Sequence, residues 1–87
     1  MSGIGKMAGN NGTYVLNNTS EATMKIKAIY IAEDTIFTKI TINGVDVKGQ
    51  YISDNSIPVR AGVMITPKGG YLFGSVQLTY GQVSLIL

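Results

Sequence analysis

The chain has 87 residues and a mass of 9.3 kDa, with no cysteine, histidine or tryptophan. Surface scaling takes such a chain from roughly 13,500 Å² unfolded to about 5,000 Å² folded, so it forms one small domain at the marginal end of burial. Disulfide staples, the usual Cys/His zinc sites and nucleophilic catalysis with a histidine base are excluded, and oligomerisation is the prop that remains.

Apolar residues supply 45% of the chain and charged ones 14%, the latter well below the about 25% of a typical globular domain. Asn, Ser, Thr and Gly must then cover the surface, which offers little charge to repel a neighbouring subunit. The net charge of +2 comes from six Lys and one Arg against five acids spread along the sequence. Lys25 and Lys27 form the only close basic pair in the folded part, too little for a phosphate-binding face, so nucleic acid is not an expected partner.

Residues Met1 to Gly12 contain Gly3, Gly5, Gly9 and Gly12, with Ile4, Met7 and Ala8 as the apolar material after the start. This stretch reads as a flexible N-terminal arm over 1–12, ahead of a single β domain over 13–87. It lacks the apolar run of a signal peptide, and no later segment reaches the length of a membrane-spanning helix. Gly3-Ile4-Gly5-Lys6 is no phosphate loop, since the G-x-x-x-x-G-K-[ST] spacing is missing and no strand precedes it. The N-x-S/T triplets at Asn11, Asn17 and Asn18 read as chance matches in an Asn/Thr-rich stretch.

Ile, Val and Thr account for 26 residues, and the apolar spacing is two, which predicts β structure and no helix. Thr23 to Ala32 reads as one strand, with Met24, Ile26, Ala28 and Tyr30 on a face that is core throughout and Ile29 and Ile31 joining from the other. Glu33-Asp34 interrupts as a charged bend. Thr35 to Ile42 follows as a second strand, with Ile36, Ile40 and Ile42 on one parity and Phe37, Lys39 and Thr41 on the other. Asn43-Gly44 tolerates the positive φ of a type I′ turn and predicts a hairpin into Val45-Asp46-Val47.

A break at Lys48-Gly49-Gln50 precedes the short run Tyr51-Ile52 and the polar loop Ser53 to Ser56. Ile57-Pro58-Val59 resumes the apolar pattern, with Pro58 confined to a sheet edge or strand start because it lacks a backbone donor. Val63-Met64-Ile65 is stopped by Pro67-Lys68-Gly69-Gly70. Tyr71 to Phe73, Ser75 to Tyr80 and Val83 to Leu87 close the chain, divided by Gly74 and Gly81, with Val76, Leu78 and Tyr80 on one parity. The apolar Leu87 suggests a last strand tied into the sheet. Six to eight short strands with glycine punctuation predict an antiparallel sandwich or barrel.

The acids are Glu21, Glu33, Asp34, Asp46 and Asp54. Glu33 and Asp34 are neighbours and point to opposite faces if extended, so they do not pair as catalytic carboxylates. A carboxylate hydrolase would have to draw on Glu33, Asp34, Asp46 or Asp54, and no calcium-loop spacing is present. No catalytic, metal-binding or cofactor-binding residue is expected. Tyrosine dominates the aromatics, with one end of the ring apolar and the other wet, which suits subunit interfaces and also sugar stacking.

The run Ala28 to Ile40, with Ile57-Pro58-Val59-Arg60-Ala61-Gly62-Val63-Met64-Ile65, Gly74-Ser75-Val76-Gln77-Leu78 and Gly81-Gln82-Val83, resembles small bacteriophage virion proteins. The resemblance covers about two-thirds of the chain and rests on structural rather than catalytic motifs. It implies a capsid decoration, cement or head-fibre role, with a trimer as the assembly. The Pro67 to Gly70 turn and the absence of a long receptor-binding extension depart from the pattern and weigh against a fibre.

The resulting expectation is a non-enzymatic virion component, assembled in the host cytoplasm, that binds copies of itself and the major capsid protein or another virion protein at the capsid surface. The residues expected to serve assembly or attachment are Ile4, Lys6, Met7, Tyr14, Tyr30, Tyr51 and Tyr71. The alternative is a tail or baseplate component, or a module that binds a host glycan through surface tyrosines.

Overall fold

A computed structural model describes residues 12–87. Ile4, Lys6 and Met7 lie outside the described residues, as does the expected N-terminal arm apart from Gly12. The described chain is all-β apart from one short helix, in the order β1 (Thr13–Leu16), β2 (Ala22–Ile26), β3 (Ala28–Ile42), β4 (Val45–Asp46), α1 (Lys48–Tyr51), β5 (Met64–Ile65) and β6 (Phe73–Ile86).

Two long antiparallel strands, β3 and β6, carry the whole sheet. Along its other edge β6 is paired by β1 at the Val83–Ile86 end and by β2 at the Phe73–Val76 end. The other edge of β3 is taken by β5 at Ile29 and Tyr30 and by β4 at Thr41 and Ile42. Between β5 and β4 the 53–63 loop is laced onto that edge. Asn55 Nδ2 donates to Phe37 O, Val59 exchanges backbone hydrogen bonds with Thr35, Asp34 accepts from Ala61 N and Arg60, and Gly62 and Val63 bond Ile31.

The sheet curls onto itself. Ile26 pairs with Phe73 while Ala28, two residues on, pairs with Ile86. A straight strand as long as β6 would hold its ends about 45 Å apart. The single residue between Ile26 and Ala28, together with the two pairing distances, brings those ends to within about 18 Å. The curl encloses one core in which Leu16, Ile26, Ile29, Ile31, Phe37, Ile40, Phe73, Val76, Leu78, Val83 and Leu85 are buried.

Several local expectations are corrected by this arrangement. Glu33-Asp34 does not end a strand, because β3 runs through it with register shifts on either side of Glu33. Gly74 and Gly81 do not divide β6 either. At the bend Gly81 takes φ 111°, and a Cβ there would lie 2.2 Å from Thr35 Oγ1 and 2.7 Å from Thr35 Cα. The strands close up around a buried Thr35, whose Oγ1 donates to Glu33 O and accepts from Gln82 N. The bulges also switch the inward parity: Phe37 and Ile40 are both buried, Ile36 is only partly so and Tyr80 is exposed.

Thr23 to Ala32 is likewise two strands broken at Lys27, where the core side passes from Ala22 and Ile26 to Ile29 and Ile31, leaving Tyr30 outside. The Ile57-Pro58-Val59 stretch supplies only the isolated bridge from Val59 to Thr35, and Tyr71 and Leu72 precede β6 rather than belong to it.

The expected Asn43-Gly44 turn forms with φ 53° and 79°, pairing Ile42 with Val45. The unexpected helix α1 follows at once, started by Asp46 Oδ1, which accepts the Lys48 N–H, and closed by the Ile52 N–H to Lys48 O. At the other end of the chain, Leu87 N donates to Gly12 O, extending the β1–β6 ladder by one residue on each strand.

Candidate functional site

The register places two transverse rows of outward side chains on the β3/β6 ribbon, one on each side of the Thr35–Gly81 bend. The first row is Val15 on β1, Ser84 on β6, Tyr30 on β3 and Met64 on β5, consecutive partners across the sheet. Val15 is 48%, Tyr30 40% and Met64 51% exposed. One rung away the half-buried Ile86 pairs with the buried Ala28, so the apolar surface presented to solvent beside the half-exposed Ser84 is that of Val15, Tyr30 and Met64 on three strands.

The β1 edge that flanks this stripe is open among the described residues. The Leu87 N–H to Gly12 O bond puts Gly12, Tyr14 and Leu16 at the hydrogen-bonded positions toward β6. By the alternation of an antiparallel ladder, the backbone groups of Thr13 and Val15 then point away from the sheet.

The second row is Thr23 on β2, Ser75 on β6, Thr41 on β3 and Asp46 on β4. It floors a groove of about 770 Å³, within the range of small-molecule sites. Lys25, Asn43 and the Tyr71-Leu72 segment stand around it, and Tyr71 is 53% exposed.

A polar network runs along the floor and wall of the groove. The buried Thr41 and Ser75 hydroxyls bond each other at 2.6 Å. Glu21 accepts from Lys39 Nζ at 3.1 Å. The Ser75 hydroxyl, then Lys39, hold the Glu21 carboxyl below its ordinary range. Lys25 makes no ion pair among the described residues.

The remaining shifted carboxyls are structural. Asp34 is lowered by the Ala61 N–H and by Arg60, and Asp54 by the hydroxyl and N–H of Ser56. Both hold the 53–63 loop in shape, and no group of three or more acids that could hold a metal ion occurs among the described residues. No helix among them is long and apolar enough to cross a membrane.

The sequence-predicted tyrosines are not brought together. Tyr30 stands in the apolar row. Tyr14 lies at the end of the neighbouring core rung, beside Leu85, Ile29 and Ile65. Tyr51 is turned inward, its ring edge-on to Phe73 at 5.2 Å and its hydroxyl accepting from Lys68 N. Tyr71 stands at the groove and also lines a second recess of about 290 Å³ with Ile42, Val47, Gln50, Tyr51 and Lys68.

Thr23 and Asn43 were not singled out from the sequence as site residues, Lys25 was weighed there only as half of a basic pair too small for a phosphate-binding face, and Asp46 only as an acid open to a carboxylate hydrolase. The only signal for them was the odd parity of Thr23 and Lys25 on β2, which marks an outer face without showing what lies across it. Comparison of the chain with protein-family models, with curated proteins and with solved structures found no match.

Proposed function

We propose that the protein is a non-enzymatic structural component of a bacteriophage virion, which assembles with copies of itself and decorates or cements the capsid. The observation that carries this reading is the outward apolar row of Val15, Tyr30 and Met64 beside the open β1 edge. A domain this small gains stability by covering such a stripe, and few charges stand against a second copy. Cyclic closure of the contact into a trimer would leave no unpaired copy and give the assembly several attachment points on a symmetric capsid lattice.

The chemistry of the acids supports a role without catalysis. Glu21, Asp34 and Asp54 are all held low by bonded partners, the opposite of the raised carboxyl a general acid needs near neutral pH. The sequence resemblance to small phage virion proteins points the same way.

Sedimentation velocity of the full chain, with mass spectrometry of purified phage particles, tests the proposal. The chain should sediment as a trimer, a Tyr30→Lys, Met64→Lys double variant should sediment as a monomer with unchanged circular dichroism, and the protein should be found in particles. A wild-type chain that remains monomeric at high concentration, or particles that lack it, overturns the reading.

A further inference from the structure

We propose that the groove on the second half of the sheet is an oligosaccharide-binding site, with Tyr71 as its stacking platform. The charges around it decide first what it does not take. Lys25 and Lys39 are balanced by Glu21 and Asp46, so no concentrated positive field is present to hold a phosphate-rich ligand or a nucleic acid. An added peptide strand is also poorly suited, because the floor belongs to strands already paired with one another: β2 with β6, β6 with β3, and β3 with β4.

The groove instead offers donors and acceptors side by side on a broad, open surface. Lys25 and the Asn43 amide supply N–H donors, the Asp46 carboxylate accepts, and the Thr23 hydroxyl can do either. Sugar hydroxyls are likewise donor and acceptor at once and are matched by such a mixed set. The C–H face of a pyranose needs an aromatic plane, which the half-exposed Tyr71 provides at the rim. Tyr71 also borders the neighbouring recess over Ile42 and Val47, so a chain of two or more sugar units can run from the groove past Tyr71 toward that recess.

A polar network within the groove itself orders its lining before any ligand arrives. Thr41, Ser75, Glu21 and Lys39, which line the groove, bond one another, and side chains held in this way lose less freedom on binding. This site lies across the bend from the apolar row and is independent of the self-assembly proposed above.

The test is an array of bacterial and mammalian oligosaccharides probed with the full chain, followed by titration of the strongest hit and by saturation-transfer NMR. Binding is expected, with sugar protons saturated from aromatic resonances. Tyr71→Ala should weaken Kd at least tenfold, and Lys25→Ala and Asp46→Asn severalfold, with circular dichroism unchanged. Since Asp46 also starts α1, Lys25→Ala and Asn43→Ala serve as variants that leave that turn intact. An array without hits, or a hit whose affinity survives Tyr71→Ala and Lys25→Ala, overturns the site. Sedimentation of the same samples reads the self-assembly separately.

Discussion

The two outward rows differ in kind although they sit on the same pair of strands. Val15, Ser84, Tyr30 and Met64 form a row with three apolar members, and no hydrogen bond between their side chains joins it. Thr23, Ser75, Thr41 and Asp46 form a row in which the two central hydroxyls are buried and bonded to each other. The first row leaves apolar area exposed, whose removal from water is worth about 25 cal/mol per Å² to whatever covers it. The second has settled its inner bonds and leaves only its ends to the outside. One ribbon thus presents one surface suited to a protein neighbour and another suited to a hydroxyl-rich ligand, one on each side of the Thr35–Gly81 bend.

The strongest way to break this division is at the bend. Gly81→Ala puts a side chain at φ 111° and drives its Cβ into Thr35. Backbone strain and overpacking each cost on the order of 1–3 kcal/mol. The variant should lose at least about 3 kcal/mol, enough to unfold much of a marginal domain, as urea denaturation followed by circular dichroism will show. Because Thr35 Cα is also too close, adding Thr35→Ala should not restore stability. Recovery in the double variant would mean that the hydroxyl alone sets the bend.

Next in size are the buried hydroxyls of the polar row. Ser75→Ala leaves the Thr41 hydroxyl without its partner and removes a bond from Glu21, a loss of about 1–3 kcal/mol. Thr41→Val leaves Ser75 with its Glu21 bond and should cost about 1 kcal/mol. The double variant should cost less than the two together by at least about 0.5 kcal/mol. Strict additivity would show that the hydroxyls do not act as a pair. By contrast, the exposed Tyr30→Lys and Met64→Lys changes should move the unfolding free energy of the isolated chain by less than about 0.5 kcal/mol each, their effect falling on association instead.

Sequence patterning revealed the composition of these rows better than their geometry. The β class, the Asn43-Gly44 hairpin and the edge character of Pro58 follow from local chemistry and are legible residue by residue. The parity arguments fail at Lys27, at Glu33 and between Phe37 and Lys39, because each bulge adds a residue that a strict period of two cannot anticipate. That is why Ile36, Tyr30 and Tyr80 read as core partners of the wrong face. Helix α1 was hidden because its start depends on a side-chain bond from Asp46, a residue whose backbone belongs to the predicted hairpin and lies in β4. The groove was invisible for a different reason: the Asn43-Gly44 hairpin already lays Thr41 beside Asp46, but only the pairing of β6 with both β2 and β3 brings Thr23 and Ser75 onto the same floor.

The smallest expected effect lies in the acid limb of stability, where the polar row again differs from the apolar one. Glu21 is lowered in the folded chain by Ser75 and Lys39. Its contribution is therefore complete above the ordinary carboxylate range and is lost as pH falls through the lowered value, when the folded state must take up a proton it had excluded. Asp34 and Asp54 act in the same direction. All three are exposed, so solvent screens each contribution. With no histidine or cysteine to titrate, the thermal midpoint should be nearly level between about pH 5.5 and 7 and decline only below about pH 4. Glu21→Gln should flatten part of that decline while leaving the pH dependence of the Asp34 latch in place. A midpoint that changes steeply near neutral pH, or an acid decline untouched by Glu21→Gln, would show that this carboxylate does not hold the polar network of the groove together.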